Sequence, residues 1–138
     1  MIEVKTADLV GAALDWAVAK STDFSVQVKP WGEFSNASTG HKIKARGFRV
    51  WYELDGDLEE WTPSADWAQG GPLIESNQIE LGWNGIDGKA MWWMARHQEL
   101  AAQQIGDTQL IAAMRAIVFA KIGDTVSVPA ELVTSSTH

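Results

Sequence analysis

The sequence predicts an α+β fold, an antiparallel sheet packed with helices on both faces as an α-β-α sandwich. Three observations lead there. Apolar residues recur at helical spacing over 7–20 and again over 108–121. Between those stretches lie runs that alternate apolar and polar residues, the period of half-buried strands. The order helix, strands, long helix lacks the regular β-α alternation of a doubly wound sheet, and each helical stripe must be buried against something.

In chain order, Thr6 is the expected N-cap of the first helix. Leu9, Ala13, Trp16 and Ala17 form its stripe, with Asp15 off the buried face and Trp16 as a core plug. Phe24, Val26 and Val28 alternate with polar residues until Pro30 closes the strand. Residues 31–41 read as loop, with His41 at its far edge, and 42–54 read as strand. Asp55 and Gly56 make a turn. Asp55, Asp57, Glu59 and Glu60 then form an acidic run, either a solvated turn or a protein-docking patch. Ile79, Leu81 and Trp83 begin a hairpin whose loop is placed at 84–88 (NGIDG). The returning strand is apolar on both faces, so it is either covered twice or lines a binding surface. Residues 97–106 read as polar loop or short helix. Asp107 or Thr108 caps the last helix, and Gly123 stands at its C′ position. Val126 and Val128 form a terminal strand before Pro129, and 134–138 read as a frayed tail. The whole chain of 138 residues is expected to form one domain, with its ordered core over about 4–132.

Composition excludes several functions. A net charge of −7 disfavours direct gripping of nucleic acid through its phosphates. There is no Cys, hence no disulfide and no thiolate metal site. No run of apolar residues is long enough to span a membrane, and the N-terminus lacks signal-peptide character, so a cytoplasmic location is expected. Neither a nucleophile elbow, a phosphate loop nor a metal-ligand spacing of His occurs. No catalytic residue, metal or cofactor is therefore assigned, and non-enzymatic action is the expectation. The unusual number is eight Trp. So many indoles cannot all lie in the core of a small domain with every N–H paired, so several must face solvent.

The candidate site is the stretch 64–75 (SADWAQGGPLIE). Ser64 and Asp66 are helix-capping types, while Gly70, Gly71 and Pro72 ask for a backbone that an ordinary helix does not supply. Two readings compete: a bend that seats Trp67 and Ile74 in the core, or a turn whose bare N–H groups meet a ligand. On the second reading Asp66 and Gln69 read polar edges, and Trp67 stacks on a planar ring. Trp83, Trp92 and Arg115 complete the predicted binding set of Asp66, Trp67, Gln69, Gly70, Gly71, Trp83, Trp92 and Arg115. Arg115 could reach a carboxylate, either Asp66 or Glu75.

Three blocks resemble a known family. They are GAALDWAVA (11–19), PSADWAQGGPLIE (63–75), and AAMR (112–115) followed by KIGD (121–124) and VSVP (126–129). Together they resemble the NinX-type phage proteins, a domain of unknown function, over about residues 4–132. The family more often shows Thr at the place of Ala65, and segment 31–61 has no counterpart in it. More distantly, the chain is similar to phage domains with a helix–sheet–helix sandwich. The resemblance implies a phage gene expressed in a bacterial cytoplasm and carries no activity with it. Gly82, Trp83, Asn84 and Gly85 followed by Met91 and Trp92 also resemble a stretch of phage proteins that sequester nucleotide signals. The resulting expectation is an accessory protein binding a small polar or nucleotide-like ligand, as in counter-defence. The alternative is an acidic protein–protein inhibitor of a host enzyme or of a nucleic-acid-binding protein.

Overall fold

A computed structural model of the chain describes the backbone of residues 1–31, 34–35, 42–43, 47–86 and 89–136. Side chains are described for the same residues except 34–35, 42–43, 84–86, 89–91 and 134–136. Strand β1 (Ile2–Lys5) leads through a 3-10 turn at Thr6–Asp8 to helix α1 (Gly11–Ser21). Strands β2 (Gln27–Trp31), β3 (Phe34–Ser35), β4 (Lys42–Ile43), β5 (Gly47–Leu54) and β6 (Asp57–Glu60) precede helix α2 (Trp67–Ser76). Strands β7 (Ile79–Ile86), β8 (Lys89–His97) and β9 (Gln104–Gly106) follow. Helix α3 (Gln109–Lys121), strand β10 (Thr125–Val128) and helix α4 (Ala130–Ser136) complete the order.

The α+β class holds, and every described strand pairing is antiparallel. β1 pairs with β10, β3 with β4, and two three-stranded sheets have the orders β2-β5-β6 and β7-β8-β9. Helices α1 and α3 pack on each other. The β7-β8-β9 sheet lies against α3, and β5 contacts α1 and α4. Ala13 and Ala17 of α1, with Ala113 and Ala116 of α3, are buried, and such small side chains let helix backbones approach closely. Leu14, Val18, Met114, Ile117, Val118 and Leu132 fill the space around them. Each such aliphatic side chain contributes about 2 kcal/mol by leaving water.

Several expectations need correction. Thr6 does not cap α1. Its hydroxyl donates to the Gly123 carbonyl at 2.5 Å, and its N–H donates to the Asp124 carbonyl at 2.7 Å, which ties the chain start to the end of α3. Helix α1 is capped at Val10 without a side-chain bond, and it is buried on every side over 13–19, Asp15 included. That burial comes from α3, α4, β5 and β10, which all pack on α1. Helix α4 begins after Pro129 and extends through 134–136, part of the stretch expected as a frayed tail, and its Leu132 is fully buried. The β2 strand passes through Pro30 because it is an edge strand, where a missing N–H breaks no ladder. Asn84 and Gly85 lie within β7 at a register shift, and the pairing of Ile86 with Lys89 moves the turn to 87–88, outside the described residues. His41 and most of the 31–41 loop also lie outside them. Other signals held: Asp55 and Gly56 both take positive φ in a two-residue hairpin turn joining β5 and β6. Thr108 caps α3 through its hydroxyl, and Gly123 follows the helix at φ +119°.

Candidate functional site

Segment 61–66 joins β6 to α2 and separates two clefts. Its N-terminal side is held by buried polar contacts. The Trp61 indole N–H donates to the Asp15 carbonyl at 3.0 Å, and the Ser64 N–H donates to the Asp15 carboxylate at 2.8 Å. Asp15 is only 3% exposed. Burial pushes its carboxyl up to about 7, against the lowering effect of the hydrogen bonds from Ser64, with Glu60 adding like-charge repulsion. A cleft of about 350 Å³ opens over this contact, between the start of α1 and strands β5 and β6. In it the Arg49 guanidinium lies 3.6 Å from the Trp31 ring centroid and 3.1 Å from the Glu60 carboxylate.

On the other side, α2 does not break at the glycines. It runs through Gly70, Gly71 and Pro72 to Ser76. Asp66 is its N-cap, accepting from the Ala68 N–H at 2.9 Å. The Gly70 N–H donates to the Asp66 carbonyl at 2.8 Å, and Gly71 falls inside the helical ladder. The expected kink with bare amides is thus replaced by a regular helix start. Pro72 removes one donor, that of the Ala68 carbonyl, but both residues are exposed, so water can serve that carbonyl. The glycine that matters is Gly70. A Cβ there would overlap the Pro63 carbonyl oxygen and come within 2.8 Å of Leu110 Cδ2, so it permits α2 to press on segment 61–66 and α3.

The remaining predicted residues divide. Gln69 is spent internally: its carboxamide oxygen accepts from the Thr62 N–H at 2.6 Å, and its nitrogen donates to the Glu60 carbonyl at 3.0 Å. Arg115 reaches neither Asp66 nor Glu75. It donates from Nε to the Leu9 carbonyl at 2.9 Å and from Nη1 to the Ile105 carbonyl at 2.6 Å. Burial lowers its pKa, while Asp107 and Asp8 act in the other direction. Trp67, by contrast, is 52% exposed and Trp83 is 48% exposed. Trp83 pairs with Trp93 across the hairpin, edge-on, with centroids 4.3 Å apart. Trp67 and Trp93 both line a cleft of about 510 Å³, with the start of α3 as its floor. Trp92, half-buried, is adjacent to Trp93 in β8, and successive strand residues point to opposite faces, so Trp92 points away from this group. The structure therefore brings Trp67, Trp93 and Trp83 to one side of the molecule, and places Gln69 and Arg115 in supporting contacts.

Sequence reasoning missed Asp15, Trp93 and Asp107. For Asp15 a signal existed: a single carboxylate flanked by Leu14 and Trp16 in an Ala-rich helix has no polar face to occupy. Trp93 could have been found by pairing the hairpin strands across the correct turn. Among the described residues no group of three His, Asp or Glu could hold a metal ion, and no helix is long and apolar enough to cross a membrane.

Both clefts lie within the stretch that decides the kinship. Residues 5–121 match the family described as Bacteriophage P22, NinX. The chain belongs to that family. The matched span runs from the end of β1 through α3, so it contains Asp15, the whole of α2 and Trp93. No curated protein matches the chain by sequence. Membership in the NinX family makes this a phage-encoded accessory protein.

Proposed function

We propose that this phage accessory protein acts without catalysis in the bacterial cytoplasm by binding a small polar ligand that carries a planar ring, a nucleotide-like molecule included. Sequestration of a host defence signal is the purpose that suits such binding. The observation that carries the reading is the cleft between Trp67 and Trp93. A large indole left half in water beside a concave surface costs hydrophobic free energy, and a stacked ring recovers it. A cleft of about 510 Å³ falls within the size range of small-molecule sites. Asp66 contributes by capping α2 and so fixing where Trp67 leaves the backbone.

A thermal-shift screen with nucleobases, nucleosides, nucleotides and cyclic nucleotides tests this. A ligand present at about 100 times its Kd stabilises the folded state by about 2.7 kcal/mol, a readily measured rise in Tm. The rise should appear for at least one ring-bearing compound and vanish in Trp67→Ala. If no compound shifts the wild type while a host protein co-purifies, the acidic-inhibitor reading takes its place. The β5–β6 hairpin, with Leu54 and Leu58 exposed among Asp55, Asp57 and Glu59, is the surface that reading would use.

A further inference from the structure

The charge lining the Trp67–Trp93 cleft specifies the kind of ring it takes. Asp107 is the one charged residue among the described residues that line it, and no Lys or Arg is among them. Arg115 lies further along α3 with its Nε and Nη1 given to two backbone carbonyls; its charge is near enough to interact with Asp107 and offsets part of that carboxylate's field. The start of α3 offers little to an anion. Thr108 turns its hydroxyl oxygen back to accept from the Ile111 N–H at 3.1 Å, and a carboxylate stands just before it in the chain. Only the N–H groups of Gln109 and Leu110, which have no intrahelical partner, favour negative charge at this end.

Indole faces attract cations through the ring quadrupole. Two of this protein's own indoles already hold one: Arg49 over Trp31 at 3.6 Å, and Lys20 over Trp16 at 5.2 Å. Among the described residues no such cation lies over Trp83, or over Trp67 or Trp93, the two indoles that line the cleft with Asp107. The net charge of −7 adds a field that favours an arriving cation. We propose that the Trp67–Trp93 cleft receives a planar organic cation, stacked on indole and paired with Asp107. This rests on the reading of the cleft as a small-molecule site and sharpens it, because it places positive charge on the ring and keeps phosphate away from the floor.

Three pyridine probes separate charge from shape: 1-methylnicotinamide (cation), nicotinamide (neutral) and nicotinate (anion). Titration of the wild-type protein, followed by the indole N–H resonances in a nitrogen-correlated NMR spectrum, reads their affinities and confirms folding in the same spectra. The cation should bind about tenfold more tightly than nicotinamide, with nicotinate weakest. Asp107→Asn should reduce that preference to about twofold while nicotinamide binding persists, and Trp67→Ala should weaken all three. Equal affinities, or nicotinate binding most tightly, overturn the charge assignment and leave the cleft as a site. Silence from 1-methylnicotinamide alongside binding of an anionic nucleotide does the same. Silence from every ring compound, these three and the nucleotide panel alike, overturns both the assignment and the site.

Discussion

The two sides of segment 61–66 are built from similar residue types and do opposite things. On the α1 side, polar atoms are spent on one another: Asp15 on Ser64, Trp61 on the Asp15 carbonyl, Gln69 on Glu60 and Thr62, Arg49 on Glu60. On the α3 side, aromatic surface is left facing water at Trp67 and Trp83. A recognition surface needs unfilled valence, whether an exposed ring or an unpaired donor. Polar residues in a conspicuous sequence motif do not supply it when the fold has already used them. The α1 side is therefore scaffold, and the α3 side is where a ligand finds something unsatisfied.

The largest expected effect breaks the scaffold where α2 meets it. Gly70→Ala places a methyl group against the Pro63 carbonyl and within 2.8 Å of Leu110 Cδ2, and the first of these is backbone that cannot rotate away. Destabilisation of about 3 kcal/mol is expected, at the upper end for overpacking, read as a drop in the denaturation midpoint. Because Gly70 seats α2 against α3, the same variant should also disturb the geometry of the Trp67 cleft.

The next effect is electrostatic and belongs to the α1 side. The Asp15 carboxyl rises from 3.8 to about 7 on folding. Between those values the folded state binds more protons than the unfolded one, so stability falls as pH rises through that window and levels off above it. The drop between pH 4 and pH 8 is on the order of 3 kcal/mol from this group. Asp15→Asn keeps an oxygen for the Ser64 N–H and carries no charge. It should flatten the profile and leave the variant more stable than wild type at pH 8 by about 1–2 kcal/mol, measured by urea unfolding across pH. A wild-type profile that rises with pH through this range would show that Asp15 is not the group in control.

The two sides also differed in how legible they were. Periodicity located α1, α3 and most strands, because 3.6-residue and two-residue repeats survive in the sequence whatever the tertiary arrangement. The cap at Thr108 and the turn at Asp55 and Gly56 were legible for the same local reason. What was hidden depended on distant partners. Asp15 depends on segment 61–66, where Trp61 and Ser64, 46 and 49 residues later, donate to its carbonyl and carboxylate. Gly70 is required because Pro63 and Leu110 crowd it, not because a kink needs it. Gln69 and Arg115 carry recognition chemistry that the fold assigns to carbonyls and an N–H of its own. Trp67 was identified correctly as an indole near the start of a helix, yet its exposure is a property of the α2–α3 packing.

Gly71→Ala has the smallest expected effect, and it separates the indole from the backbone as the basis of recognition. Gly71 sits in the interior of α2 with a φ that ordinary residues adopt, and an added Cβ would stand 3.7 Å from Trp67 Cε3, an ordinary contact. A helical glycine replaced by alanine usually gains about 0.5–1 kcal/mol from lost unfolded-chain entropy. Gly71 precedes Pro72, however, whose ring crowds a Cβ in the helical region and offsets that gain, so little net change in stability is expected. If binding rests on the Trp67 ring, the variant should unfold near the wild-type temperature and keep its ligand response. If binding rests on close approach of the ligand to the backbone at Gly71, the added methyl group should weaken the response while stability stays nearly unchanged. Gly71 thus lies on the boundary between scaffold and surface, and its substitution asks which of the two the ligand touches.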